Sequence, residues 1–169
     1  VTVVYGLPKG DEFEFVLKNA TELGVNRIVP FMCKRSIIGT DAKSLKKKYD
    51  RYNRIIQEAA EQSEREILPE ITELANIRTL DQYLSEVNLV AYEEASRSHE
   101  ESTFHQALSK VTKSMTIIVG PEGGFDESEI EAMEALGIKR CGLGKRILRS
   151  ETAPLYMLSV IGYERELNK

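Results

Sequence analysis

The sequence has few of the residues from which disulfides, metal centres or membrane spans are built. Its two cysteines, Cys33 and Cys141, lie far apart and form no CxxC pair. Such cysteine usage fits a reducing compartment and argues against a metal-binding knuckle. No apolar run is long enough to cross a bilayer, and we find no secretory signal. We therefore expect a cytoplasmic protein that uses neither a membrane segment nor a metal ion.

The residues that are present suffice for one folded domain. The 169 residues are 41% apolar and 30% charged, which is neither a disordered nor a fibrous composition. A chain of this length buries roughly 70% of its unfolded surface and needs no cross-link to stabilise a core. Because it begins with Val1, inside a predicted strand and without a methionine, we expect a fragment of a longer protein.

Positive charge is concentrated in two stretches of an acidic chain. The net charge is −4, yet residues 34–54 include eight basic and two acidic residues, and residues 137–149 include five basic residues and no acid. Lysine and arginine bind phosphates, so this segregation permits a nucleic-acid surface on an acidic protein. The alternative for 46–54 is the solvated face of a helix, and the sequence leaves both open.

Apolar periodicity switches repeatedly between two residues and about 3.6 residues, which indicates strands alternating with helices. Strands are predicted at 1–5, 27–32, 70–74, 87–92, 115–119 and 140–143. Helices are predicted at 11–23, 44–63, 80–84 and 126–136, around 104–108, and from 153 onward. The last helix is apolar nearly all round, which predicts that it is buried or dimeric. This alternation predicts an α/β domain on a mostly parallel sheet with helices on both faces.

Two unusual loops follow predicted strands. Residues 120–125 hold three glycines around a proline and a carboxylate, and residues 142–152 hold three cations followed by a single carboxylate. In open α/β sheets, ligands bind beyond the carboxyl ends of the strands, which is where both loops fall. The first loop lacks the Lys-Ser/Thr of a P-loop, and Gly142-Leu143-Gly144 of the second lacks the third glycine of the dinucleotide motif, which disfavours ATP and NAD. The alternative is a pair of ordinary strand-to-helix turns.

These loops carry a resemblance to a known family. The strings IVGPEGGF at 118–125 and LGKRILRSETA at 143–153 resemble the two signature loops of the ribosomal RNA small-subunit methyltransferase E family. That family belongs to the SPOUT class of trefoil-knotted methyltransferases. KNATELGV at 18–25 and EAAEQSER at 58–65 resemble its first helix and its central motif. Glu64 departs from the family pattern, which has a small residue there, and the family's amino-terminal RNA-binding barrel is absent from these residues.

The resemblance implies that residues 1–169 form a SPOUT methyltransferase domain with a carboxy-terminal trefoil knot. It implies methyl transfer from S-adenosylmethionine to N3 of a uridine in 16S ribosomal RNA, either free or within the small ribosomal subunit. It also implies a homodimer with the cofactor near the interface. A non-catalytic knotted module that binds RNA or dimerises is the alternative. The presence of Arg149, Glu151 and the glycine loop favours the enzyme.

The resemblance and the loop chemistry together assign the cofactor site. S-adenosylmethionine carries a sulfonium cation and no phosphate, so it needs backbone polar groups and apolar walls more than an anion cradle. The residues expected to bind it are Tyr92, Gly120, Pro121, Glu122, Gly123, Gly124, Leu143, Gly144, Ile147 and Leu148.

Arg149 and Glu151 are the predicted catalytic pair. Uridine N3 becomes nucleophilic when it loses its proton, which places negative charge on the flanking carbonyl oxygens, and both a cation and a base lower that barrier. We assign Arg149 to the charge and Glu151 to proton removal or to orienting Arg149. A helix-start carboxylate is the alternative for Glu151. The residues expected to contact RNA are Lys34, Arg35, Arg65 and Arg146. The alternatives are a cofactor-loop role or a surface cation for Arg146, and bracing of the site or a helix-end salt bridge for Arg65.

Overall fold

A computed structural model describes residues 1–36, 41–93, 102–110 and 113–168. The strands are β1 Thr2–Gly6, β2 Arg27–Phe31, β3 Glu70–Ile71, β4 Val87–Ala91, β5 Met115–Val119 and β6 Lys139–Cys141. The helices are α1 Glu12–Glu22, α2 Ala42–Lys46, α3 Tyr49–Gln62, α4 Ser102–Ser109, α5 Glu127–Ala135 and α6 Ala153–Gly162. The strands form one sheet in the order β3-β2-β1-β5-β4-β6, and every described pairing is parallel. The predicted α/β domain on a mostly parallel sheet is confirmed.

Each face of the sheet carries its own hydrophobic core, because alternate strand residues point to opposite faces. Val3 and Tyr5 of β1 point into the larger core, to which α1, α3, α4 and α6 contribute. Val4, between them, points into the smaller core, which α5 and the 3-10 helix Leu80–Tyr83 cover. All three side chains are fully buried. Strands buried on both faces have nearly continuous apolar sequences. This explains why four of the five residues of β5 are apolar.

The prediction of one long helix over 44–63 is wrong, because the structure has two helices there. Asp41 caps α2 by accepting a hydrogen bond from the backbone nitrogen of Ser44 at 2.7 Å, so this helix begins earlier than predicted. The backbone nitrogen of Lys48 then donates to the Leu45 carbonyl at 2.9 Å, a tight three-residue turn that separates α2 from α3.

β3 and the 3-10 helix before β4 are shorter than predicted. Pro30 has no backbone N–H, so β2 cannot donate a hydrogen bond to β3 at that position. The ladder therefore stops at Ile71 and resumes as a single bridge between Phe31 and Ala75. The helix predicted around 104–108 is confirmed as α4, and part of the polar segment around it lies outside the described residues.

The final helix is only partly covered. Met157, Leu158 and Ile161 are buried in the larger core. Tyr156 is 38% exposed on α6, and Tyr163 is 54% exposed on the π-helical turn Tyr163–Leu167 that continues it. One side of this apolar helix thus lacks a cover among the described residues, and the homodimer stays a prediction.

Both cysteines are buried free thiols. Burial raises the pKa of the Cys33 thiol above its usual range and raises that of Cys141 to about 12. A protonated thiol is neither a nucleophile nor a metal ligand, so both act as small apolar groups. Within the described residues, no three His, Cys, Asp or Glu side chains converge on a possible metal position.

In the described part of the chain, no helix combines the length and the apolar character needed to cross a bilayer.

Candidate cofactor and RNA site

A cleft of about 600 Å³ opens at the carboxyl ends of β4, β5 and β6. This volume is within the range of sites that bind small molecules and cofactors. The segments that follow those three strands form its walls, and Ala153 at the start of α6 closes one side. Parallel strands end at the same edge of a sheet, so two loops distant in sequence meet there.

All ten predicted cofactor residues line this one cleft. They come from three different strand ends, which the sequence separates by up to 56 positions. The lining includes Tyr92, Gly120, Pro121, Glu122, Gly123, Gly124, Leu143, Gly144, Ile147 and Leu148. The structure therefore places all ten predicted residues around one cleft. Their contacts with the cofactor stay a prediction.

The glycine loop 120–125 is held in place by contacts that sequence reasoning did not foresee. Arg35 donates from Nη1 to the Gly123 carbonyl at 2.6 Å. The backbone nitrogen of Lys9, in the loop after β1, donates to Oε1 of Glu122 at 2.7 Å. Gly124 has a φ of +71°, a left-handed conformation that glycine adopts without strain. Loops from β1 and β2 thus fix the loop from β5, and no local sequence pattern signals such pairs.

Directly after this loop, Asp126 and Glu129 form the predicted capping box of α5. Asp126 accepts from the Glu129 backbone nitrogen at 2.9 Å, and Glu129 Oε1 accepts from the Asp126 backbone nitrogen at 3.1 Å. Hydrogen bonds from Ser128 and from the Glu129 backbone, together with Lys34 at 3.3 Å, lower the pKa of Asp126 to about 2. Lys34, a predicted RNA contact, therefore pairs with a helix cap and does not line the cleft.

We expect Asp126→Ala to lower the melting temperature by a few degrees at neutral pH, because the cap of α5 and its pairing with Lys34 are lost. Asp126 has a folded pKa of about 2, below its ordinary value of about 3.9, so its contribution is present above pH 4 and disappears as the pH falls towards 2. The melting curves of wild type and variant should converge over that interval in calorimetry.

Asp126→Asn is the matched control for this prediction. Asparagine caps a helix as well as aspartate does but carries no charge. Its deficit at neutral pH should be smaller than that of Asp126→Ala, and it should shrink over the same interval, because the wild type loses the charge of Asp126 as the pH falls towards 2. A deficit that stays constant from pH 7 to pH 2 in both variants would contradict the ionisation argument.

Tyr92 is positioned by a charged network that the sequence did not reveal. Its hydroxyl donates to Oε2 of Glu127 at 2.8 Å, and the guanidinium of Arg140 lies 5.5 Å from the centre of its ring. Arg140 also pairs with Glu127 at 3.2 Å and with Glu134 at 2.5 Å. The hydroxyl of Tyr92 and the nearby guanidinium lower the pKa of Glu127. The three elements β4, α5 and β6 thereby set the orientation of one cleft residue.

The predicted catalytic residues Arg149 and Glu151 flank the cleft without forming its wall. Ser150, between them, lines the cleft and lies 3.1 Å from the hydroxyl of buried Tyr5. The Arg149 carbonyl accepts from the backbone nitrogen of Ala153 at 3.1 Å, which fixes the backbone at the start of α6. Within the described residues, neither the exposed Arg149 side chain nor the half-buried Glu151 side chain has an ion pair or hydrogen bond.

The four predicted RNA contacts fall in different places. Arg35 and Arg146 line the cleft, whereas Lys34 does not. Arg65 donates to the carbonyls of Thr21 and Val25 at 2.9 and 2.8 Å. Those carbonyls precede β2 and so lie at the amino edge of the sheet, opposite the cleft. Arg65 therefore braces the end of α1, and its position gives an RNA contact no support.

Comparison with known proteins places this cleft in a family context. Residues 1–162 match the family described as RNA methyltransferase domain. Ribosomal RNA small subunit methyltransferase E of Bacillus subtilis (strain 168) is 43% identical over 171 residues, covering 99% of this chain and 67% of that protein. The protein of the same name from Mesomycoplasma hyopneumoniae (strain 232) is 35% identical over 94% of this chain and 67% of its own length.

A solved structure shows the same arrangement of elements. The ribosomal RNA small subunit methyltransferase E from Neisseria gonorrhoeae, bound to S-adenosyl methionine, superposes with a TM-score of 0.80 at 28% identity. The match covers 95% of this chain and 64% of that one. The chain thus spans about two thirds of the length of these relatives. By its sequence over 1–162 and by its fold, the chain belongs to the ribosomal RNA small subunit methyltransferase E family of RNA methyltransferases.

Proposed function

We propose that this chain is the catalytic domain of an S-adenosylmethionine-dependent methyltransferase that modifies N3 of a uridine in 16S ribosomal RNA. The observation that carries the proposal is the convergence of all ten predicted cofactor residues on one cleft. The relatives named above support the substrate class, because they are ribosomal RNA small subunit methyltransferases. Only the family resemblance supports N3 as the atom that is methylated.

The residues of the cleft fit a sulfonium cofactor better than a nucleotide phosphate. Arg35 donates from Nη1 to the Gly123 carbonyl, so this nitrogen holds the glycine loop, and only its other, exposed N–H groups are left for a phosphate at the rim of the cleft. Leu143 and Leu148 supply half-buried apolar surface for an adenine ring, and the 120–125 backbone supplies polar groups at close range. S-adenosylmethionine would supply an activated methyl group there. No metal is needed, because positioning and charge stabilisation are what the reaction requires of the protein.

Arg149 and Glu151 are proposed to act on the uridine. The Arg149 guanidinium would face the negative charge that develops on the carbonyl oxygens beside N3. Glu151 would accept the N3 proton or orient Arg149. Neither side chain has a polar partner among the described residues, so both can engage RNA without breaking an internal contact. An RNA base reaches them only when it is unpaired or turned out of its stack.

The knot and the dimer belong to this proposal as well. β6 lies at one edge of the sheet, yet α6 packs against β5 and α1 near the middle, so the chain returns from the edge to the centre after β6. This return supports the trefoil knot, which the family resemblance implies. Tyr156, Tyr163 and Leu167, the last 75% exposed, support a homodimer through the final helix. The buried free thiols agree with action in the cytoplasm.

The proposal predicts that S-adenosylmethionine binds and stabilises the protein. At a ligand concentration of 100 times Kd, the gain of about 2.7 kcal/mol corresponds to a rise of roughly 5–10 °C in melting temperature. Scanning calorimetry with and without the cofactor measures this rise. ATP at the same concentration is the control and should leave the melting temperature unchanged. Absence of a shift with S-adenosylmethionine would overturn the cofactor assignment.

Activity is tested by supplying 16S ribosomal RNA, and separately small ribosomal subunits, with isotopically labelled S-adenosylmethionine. Digestion to nucleosides followed by mass spectrometry should yield 3-methyluridine. A labelled methyl group on another atom would overturn the N3 assignment but not the assignment as a methyltransferase. Cofactor and RNA binding without any transfer would favour the non-catalytic module.

A further inference from the structure

We propose that the lysine-rich junction between α2 and α3 binds the phosphate backbone of RNA beside the target uridine. The basic junction consists of Lys43, Lys46, Lys47 and Lys48. This inference rests on the proposed function, because it extends the RNA substrate from the cleft along the same edge of the sheet.

The basic junction presents free positive charge. All four lysines are exposed, and none forms an ion pair or a side-chain hydrogen bond within the described ranges. Arg51, one turn into α3, is different because it pairs with Glu14 at 2.5 Å. Asp41 accepts a hydrogen bond from the backbone nitrogen of Ser44 and serves as the cap of α2. The lysines therefore remain available to a polyanion.

A purely solvated helix face does not explain this arrangement well. Solvated helices usually place acids four residues from bases, which stabilises them. Lys43 and Lys47 are instead like charges four positions apart, which is unfavourable. Lys48 stands at the start of α3, where the helix dipole disfavours a cation. Lys43 and Lys46 are favourably placed in the last turn of α2, and Lys47 interacts electrostatically with Asp41. The four lysines still outnumber the nearby acids, and bound phosphates would offset the repulsion that remains.

The basic junction lies at the same edge of the sheet as the cleft. The Tyr49 hydroxyl, at the start of α3, donates to the Thr72 carbonyl just beyond the end of β3 at 2.5 Å. The other end of α3 leads to Arg65, which contacts Val25 before the start of β2. α3 therefore runs from the carboxyl edge to the amino edge, and its lysine-rich end faces the side on which the cleft opens.

Arginine side chains stand between the basic junction and the cleft, beside the loop after β1 and the start of α1, which carry the acids Asp11, Glu12 and Glu14. Three strand spacings separate β3 from β5, a distance of about 14 Å. Arg35, in the turn after β2, lies between them and lines the cleft. Arg146 lines it from the opposite loop. A single RNA strand whose target base enters the cleft can therefore lay its neighbouring phosphates along Arg35 and onto the lysines. Phosphate contacts of this kind fix register without reading sequence.

The test compares two triple variants of equal charge. Lys46→Gln/Lys47→Gln/Lys48→Gln removes the basic junction, and Lys110→Gln/Lys113→Gln/Lys139→Gln removes three exposed lysines near the amino edge. RNA affinity is measured by fluorescence anisotropy with a labelled single strand of about twelve nucleotides, at several salt concentrations. Methylation of 16S ribosomal RNA gives KM and kcat, and calorimetry gives the affinity for S-adenosylmethionine.

The first variant should reduce the slope of log affinity against log salt by about two, because each lost phosphate contact removes about 0.7. It should raise KM for the RNA about tenfold, with kcat and cofactor affinity unchanged. The control variant should match wild type in slope and KM. Equal slopes and KM values in the two variants would overturn the inference. A wild type that neither binds S-adenosylmethionine nor methylates RNA would overturn the proposed function, and the salt slopes would still decide whether the lysines bind RNA.

Discussion

Arg149→Ala should slow methyl transfer about 100- to 1,000-fold, the usual cost of removing one donor that stabilises charge in a transition state. The side chain is exposed and has no polar partner among the described residues, so its loss breaks no internal contact. It does not line the cleft wall, so cofactor affinity should stay unchanged. Single-turnover methylation of 16S ribosomal RNA measures the rate, and calorimetry with S-adenosylmethionine measures the affinity.

Arg146→Ala is the matched control, because Arg146 is an exposed arginine of the same loop that lines the cleft. Its loss should weaken RNA binding and raise KM while kcat is retained, since it is assigned to binding and not to the developing charge. Arg149→Lys keeps a cation but not the planar fork, so it should recover only part of the rate. Unchanged turnover in Arg149→Ala would remove the catalytic assignment.

The parts of the fold that the sequence predicts are those governed by local chemistry. β5 is predicted at its observed boundaries, because five buried residues, four of them apolar, run directly into Gly120 and Pro121, which cannot continue a strand. The capping box of Asp126 and Glu129 likewise depends only on a spacing of three residues. Once the strands are known to be parallel, the meeting of the two loops at one edge follows from geometry.

The contacts that fix the site could not be predicted in this way. Arg35 and Gly123 are 88 positions apart, and Tyr5 and Ser150 are 145 positions apart. No periodicity relates such residues, because each pair depends on the strand order β2-β1-β5-β4-β6. Tyr5 shows the limit clearly: an apolar strand predicts that its ring is buried, but not that its hydroxyl contacts the loop beside Arg149. Local pattern locates the cleft, while tertiary packing decides which residues make it rigid.

Gly6, at the end of β1, is also a position where tertiary packing fixes the cleft. Gly6→Ala should both destabilise the protein and weaken cofactor binding. An alanine Cβ at this position would lie 2.6 Å from Cδ and 2.8 Å from the backbone nitrogen of Pro121. Both atoms belong to the rigid ring of Pro121, so neither can move without moving the glycine loop. Overpacking of this kind costs about 1–3 kcal/mol of folding free energy. Because the displaced loop lines the cleft, S-adenosylmethionine should bind about tenfold more weakly.

Two other glycines separate crowding of the cleft from general loss of stability. In Gly10→Ala the added Cβ meets only the flexible end of the Glu12 side chain at 3.0 Å, so both stability and affinity should stay near wild type. Gly24 has a φ of +96° and open space around it, at the amino edge of the sheet. Gly24→Ala should therefore cost about 1 kcal/mol through backbone strain and leave cofactor affinity unchanged. Gly6→Ala could instead behave as Gly24→Ala does, losing stability but binding S-adenosylmethionine like wild type. In that case the end of β1 would not determine the position of the glycine loop. Only a loss of both properties in Gly6→Ala, measured by calorimetry on all three variants, supports a loop whose position is set by the packing of Pro121 on β1.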